Sequence, residues 1–269
     1  MDARIASGPQ LLVSVRNVAE AHAALAGGCE VLDLKEPARG AMGMPDLATI
    51  AAVARQICLA ESSRPLSVAL GEAREWQSGR ATPCLPSGIG FLKLGTADLE
   101  SLLDWGTHFE RVKRQFEAAG SGAMSGTKAA HDGACCSASW IAVAYADYQV
   151  ARGPAPEEVV EQAAQCGCGG VLIDTFSKDD KRLFDWLGLD RLGLLAVSAR
   201  SRGLAFAVAG RLQIGDLPAI CTVAPDIVGI RSAACRGGIR TAEIDPVAVR
   251  AFGDALRFEA RSMVSSPRA

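Results

Sequence analysis

The chain has 269 residues, 49% of them hydrophobic and 22% charged, enough to bury a sizeable core and within the length of one α/β barrel. Its 28 Lys and Arg against 30 Asp and Glu leave no field that would draw nucleic acid or an anionic membrane surface. No apolar run approaches a membrane span of about 20 residues, and the first ten residues do not resemble a secretory leader, so a cytoplasmic protein is expected.

Strand-length apolar runs recur eight times, at 11–15, 31–35, 66–70, 91–94, 140–145, 170–174, 204–208 and 226–231. Each is followed by a segment that can be helical. Apolar residues three and four apart mark helices at 18–26, 46–57, 98–118, 156–165 and 246–258, several of which open on Asp or Pro as helices often do. Gly27-Gly28 stops the first of these. Strands apolar on both faces, alternating with amphipathic helices, predict a parallel sheet covered by helices.

Eight such units favour a single closed (β/α)8 TIM barrel domain spanning 1–269 over an open doubly wound sheet. The open sheet lacks its strongest signal, because Ser14-Val15-Arg16-Asn17 follows the first strand in place of a Gly-x-Gly-x-x-Gly turn. The stretch 119–139, rich in Gly, Ala and Ser, reads as a flexible insertion, and 261–269 as a loose tail. A homo-oligomer is the expected assembly.

Nine scattered cysteines read as reduced thiols rather than as a disulfide framework. Cys135-Cys136 and Cys166-Gly167-Cys168, with His131 the one histidine nearby, lack the spacing of a zinc site, so no metal is expected. His22 and His108 fall in helical stretches.

In a parallel barrel, catalytic groups sit at the carboxyl ends of strands, and alternate strands share an interior layer. The even-numbered strands end in Asp33 with Lys35, in Lys93, in Asp174 and in Arg231. Asp33 and Lys35, two residues apart, share one face of their strand. Each charge alone reads as half of an ion pair. Together they read as chemistry, since burying two lysines is costly without a function.

Two neighbouring ammonium groups disfavour one another's charge, which leaves one amine available as a nucleophile toward carbonyls. Asp33 and Asp174 are then candidates for proton transfer. Asp147 and Lys178 fall on the same rim. Gly210 and Arg211 after the seventh strand, and Arg231, Ser232, Gly237 and Gly238 after the eighth, have the composition of a phosphate cradle.

Leu32-Asp33-Leu34-Lys35-Glu36-Pro37, Phe91-Leu92-Lys93-Leu94-Gly95, Ala144-Tyr145-Ala146-Asp147, Leu172-Ile173-Asp174-Thr175, Lys178-Asp179, Ala209-Gly210 and the run from Asp226 to Cys235 resemble, in order, the (5-formylfuran-3-yl)methyl phosphate synthase family of methanofuran biosynthesis. The resemblance implies a (β/α)8 barrel lyase that uses no cofactor. Such an enzyme joins two glyceraldehyde 3-phosphates and releases phosphate and water. It also implies that Lys35 forms the Schiff base and that Lys93 is the second essential lysine. Asp33, Asp147, Asp174 and Lys178 match the supporting acid, base and phosphate-neutralising positions.

Two positions depart from the archaeal pattern: Arg211 where serine is typical, and Glu36 where asparagine is common. The 119–139 stretch resembles what a bacterial member would carry, in a methylotroph using a methanofuran analogue for one-carbon transfer. A class I aldolase acting on another phosphosugar, and a non-catalytic phosphometabolite-binding barrel, are the alternatives. Lys35→Ala and Lys93→Ala are each expected to abolish turnover and leave the fold intact.

Overall fold

A computed structural model describes residues 8–59, 63–76, 80–102, 104–122, 138–177 and 180–265. Eight strands, β1 (Gln10–Val15), β2 (Val31–Leu34), β3 (Leu66–Glu72), β4 (Ile89–Gly95), β5 (Ser139–Tyr145), β6 (Gly170–Asp174), β7 (Ala205–Val208) and β8 (Ile227–Ile230), form a closed barrel in sequence order. Every neighbouring pair is parallel, including β1 with β8. Among the described residues, the helices are α1 (Val18–Ala26), α2 (Leu47–Leu59), α3 (Trp105–Gly122), α4 (Tyr148–Ala151), α5 (Pro156–Gln165), α6 (Leu183–Trp186), α7 (Leu189–Ser201), α8 (Leu217–Val223) and α9 (Pro246–Ser265). None of them is long and apolar enough to cross a membrane.

Alternation along each strand divides the apolar side chains into two sets. Val13, Leu32, Val68, Leu94, Ala144, Ile173, Phe206 and Val228 face the helices and belong to the larger core. Ala69, Ile141, Val143, Tyr145, Leu172 and Ala207 fill the barrel interior, together with Met42 from the loop after β2. That loop is drawn over the mouth: Gly71 N donates to Met42 O at 2.7 Å and Glu36 N donates to Gly43 O at 2.8 Å.

Asn17 caps α1 by accepting from Glu20 N at 3.0 Å. At the other end Gly27 touches α9, where an added Cβ would lie 2.5 Å from Val249 Cβ.

Three boundaries differ from the sequence expectation. The helix predicted from 98 begins at Trp105, because Asp98 takes a left-handed φ of 57° and the segment is tied elsewhere. Asp98 N donates to Ala151 O and Glu100 N to Arg152 O, both at 2.9 Å. The predicted loose tail is helical through Ser265, and 266–269 lies outside the described residues. Of the predicted insertion, 119–122 extends α3 and Ser139 opens β5, while 123–137, with His131, Cys135 and Cys136, lies outside them.

Candidate active site

The strand register brings the even-strand charges to one interior layer. Asp33 lies opposite Ser14 on one side and Ser67 on the other, Lys93 opposite Ala69 and Ile141, and Asp174 opposite Tyr145. Lys35 follows β2 with its backbone N–H still in the ladder, donating to Val15 O at 3.1 Å, so it shares the inward face of Asp33. All four side chains are sequestered: Asp33 is 1%, Lys93 2%, Asp174 4% and Lys35 5% exposed.

The charges resolve into two pairs of unequal tightness. Lys93 Nζ is in direct contact with Asp33 Oδ1, and the second Asp33 oxygen accepts from Ser14 Oγ at 2.8 Å. Burial pushes the Asp33 carboxyl up, but Lys93, Lys35 and the two hydrogen bonds outweigh it and hold the group below its ordinary value. Lys35 Nζ stands 3.7 Å from Asp174 Oδ2, beyond hydrogen-bond length, and the other Asp174 oxygen accepts from Thr175 N at 2.8 Å.

Asp147 is buried and accepts from Phe176 N and Ser177 N, both at 2.7 Å. It therefore fixes the backbone of the loop after β6. Lys178, the next residue of that loop, lies outside the described residues. Tyr145, not assigned from sequence, donates to Glu72 Oε1 at 2.5 Å, and Glu72 Oε2 accepts from Ala97 N at 3.0 Å. Burial and the Glu72 carboxylate raise the Tyr145 phenol well above its usual value. A strand-ending tyrosine in the sequence was its only signal.

The loops after β7 and β8 have the expected turns: Gly210, Arg211, Gly237 and Gly238 all have positive φ, and Ser232 opens a short 3-10 turn. Arg211 reaches Asp180 at 3.5 Å on the rim. Arg231 is placed differently from the expected cradle. Its guanidinium is 3% exposed and pairs with Glu20, at 2.5 Å to one oxygen and 3.0 Å to the other. It also donates to the carbonyls of Ser14, Arg240 and Ala242.

Arg231 thus braces the β8 loop against α1, and its donors are committed within the protein. Glu20, in the first turn of α1, also accepts from Arg16. Glu36, the second departure from the archaeal pattern, accepts from Ala38 N at 3.0 Å within its own loop. Among the described residues, no group of three or more His, Cys, Asp and Glu could hold a metal ion.

A closed parallel barrel with paired lysines and carboxylates at the carboxyl ends of alternate strands is the architecture of a TIM-barrel enzyme. The family model described as 4-HFC-P synthase matches residues 11–253, and the chain belongs to that family. It is similar to the (5-formylfuran-3-yl)methyl phosphate synthase of Methanopyrus kandleri, with 32% identity over 86% of this chain and 92% of that protein. It is also similar to the synthase of the same name from Methanothermobacter thermautotrophicus, with 31% identity over 91% and 98%. Among solved structures, 3-hexulose-6-phosphate synthase from Salmonella typhimurium shares the fold at a TM-score of 0.55 and 12% identity, over 93% of this chain and 99% of that one.

Proposed function

We propose that the protein condenses two molecules of glyceraldehyde 3-phosphate into (5-formylfuran-3-yl)methyl phosphate, with loss of phosphate and water, through a Schiff base on Lys35. The product would enter the biosynthesis of methanofuran or an analogue of it. Family membership supports the reaction. The observation that carries the assignment of roles is the burial of two lysines against two carboxylates at one mouth, with Lys93 in contact with Asp33 and Lys35 3.7 Å from Asp174.

An amine beside a carboxylate can pass its proton to that carboxylate and attack an aldehyde. The resulting imine acidifies the adjacent C–H, and the electron pair left at C2 when that proton is removed expels the phosphate from C3, leaving a conjugated acceptor. C2 of the second triose phosphate, as its enediolate, adds to that C3, and ring closure with loss of two waters followed by hydrolysis of the imine gives the furan aldehyde that keeps the second phosphate. Asp174, beside the imine nitrogen, is placed to take and return the protons. Lys93, in contact with Asp33, is the group proposed to meet the oxyanion and phosphate charge as it develops.

Incubation with glyceraldehyde 3-phosphate should release inorganic phosphate and produce a furan absorbance. Borohydride added during turnover should leave a substrate-derived mass on the peptide that contains Lys35, and Lys35→Ala should abolish both adduct and turnover. Absence of phosphate release and of the chromophore would overturn the reading. A reversible aldol without phosphate loss would identify an aldolase, and no covalent adduct a binding barrel.

A further inference from the structure

Arg240 lies on the loop between β8 and α9 and had no role in the sequence reading. The loop is closed on itself: Cys235 and Ile244 form an antiparallel bridge, Arg236 N donates to Glu243 O at 3.0 Å, and Asp245 N to Ala234 O at 2.8 Å. Arg231 Nε holds the Arg240 carbonyl at 3.2 Å. The backbone of Arg240 is therefore fixed from below by the same guanidinium that is paired with Glu20.

The Arg240 side chain is half-buried, and among the described residues its guanidinium makes no hydrogen bond or ion pair. Its electrostatic neighbours are Asp174, Arg231 and Arg211. A guanidinium carries five N–H donors, and withdrawing them from water unpaired is costly. Burial pushes Arg240 below the ordinary arginine value, and Arg231 and Arg211 act in the same direction while Asp174 opposes them. Such a group, on the loop that follows β8 and within the electrostatic reach of Asp174, fits an anion with several acceptor oxygens, which a planar guanidinium takes in bidentate fashion.

Asp174 pairs with Lys35, and among the described residues Arg240 forms no ion pair with it. Arg231, one of the two arginines expected in the phosphate cradle, has its donors spent on Glu20 and three carbonyls. We propose that Arg240 is the side chain that grips the phosphate group of the triose phosphate, and that it thereby selects phosphorylated over unphosphorylated aldehydes. This rests on the proposed reaction for its substrate, although the anion site itself does not depend on it.

The experiment compares wild type with Arg240→Ala and Arg240→Lys. Inorganic phosphate should raise the melting temperature of wild type and not that of Arg240→Ala, a readout that needs no turnover. KM for glyceraldehyde 3-phosphate should rise by about tenfold or more in Arg240→Ala, with Arg240→Lys between the two because it keeps the charge and loses the fork. Borohydride trapping of unphosphorylated glyceraldehyde on Lys35 should be equal in all three proteins. An unchanged KM together with a retained phosphate shift in Arg240→Ala would overturn the assignment. Inactive wild type that still shows the Arg240-dependent phosphate shift would overturn the reaction and leave the anion site standing.

Discussion

With Lys93 in contact and Ser14 hydrogen-bonded, Asp33 is a carboxylate that water does not reach, and Lys93→Ala would leave its charge uncompensated. The cost of breaking such a pair is about 3–5 kcal/mol, so the variant should lose stability as well as turnover. Lys93→Ala should melt roughly 10 °C below wild type, and the double variant Asp33→Asn, Lys93→Met should recover most of that loss. A calorimetric scan in which Lys93→Ala matches wild type would contradict the pairing. That Asp33 and Lys35 share a face could be read from their spacing alone. That Glu20 pairs with Arg231 could not, because 211 residues separate them and local pattern carries no trace of the contact. Arg240 escaped notice for a related reason, since its loop has no periodicity to interpret.

At the level of elements, boundaries were legible wherever an apolar run meets a charge or a glycine. β6, Gly170–Asp174, and α1, Val18–Ala26, match the sequence expectation residue for residue. The start of α3 was illegible because backbone hydrogen bonds to the α4 turn, and not local propensity, hold 98–100 out of the helix. Gly27 has a tertiary role as well as a terminating one. Gly27→Ala would drive a methyl group into Val249 Cβ at 2.5 Å and Pro246 O at 2.9 Å, both at the start of α9. Overpacking of this kind costs about 1–3 kcal/mol, and the urea midpoint should fall accordingly with its slope unchanged. An unchanged midpoint would mean that α1 and α9 separate at little cost.

The whole barrel is held at its seam and in its interior by carboxylates that must stay ionised. Burial raises the Glu20 carboxyl, but Arg231 and Arg16 outweigh that and hold it below the ordinary range, as Lys93 and Lys35 do for Asp33. Both groups release their protons more readily folded than unfolded. Their contribution is therefore fully present above the unfolded carboxylate range near about pH 4 and is lost as pH falls through the folded values. Chemical denaturation should show a lower midpoint at about pH 3 than at about pH 6, and Glu20→Gln should flatten part of that dependence. A midpoint that rises on acidification would reverse the sign argued here. The Glu20–Arg231 contact and the β1–β8 pairing also set a clock on biosynthesis. At ribosomal speeds of roughly 5–20 residues per second, the 211 residues between these partners take about 10–40 s to appear. For that interval the first strand of the nascent chain has an unpaired edge and Glu20 has only Arg16 beside it, so this barrel is completed only after its last strand is made.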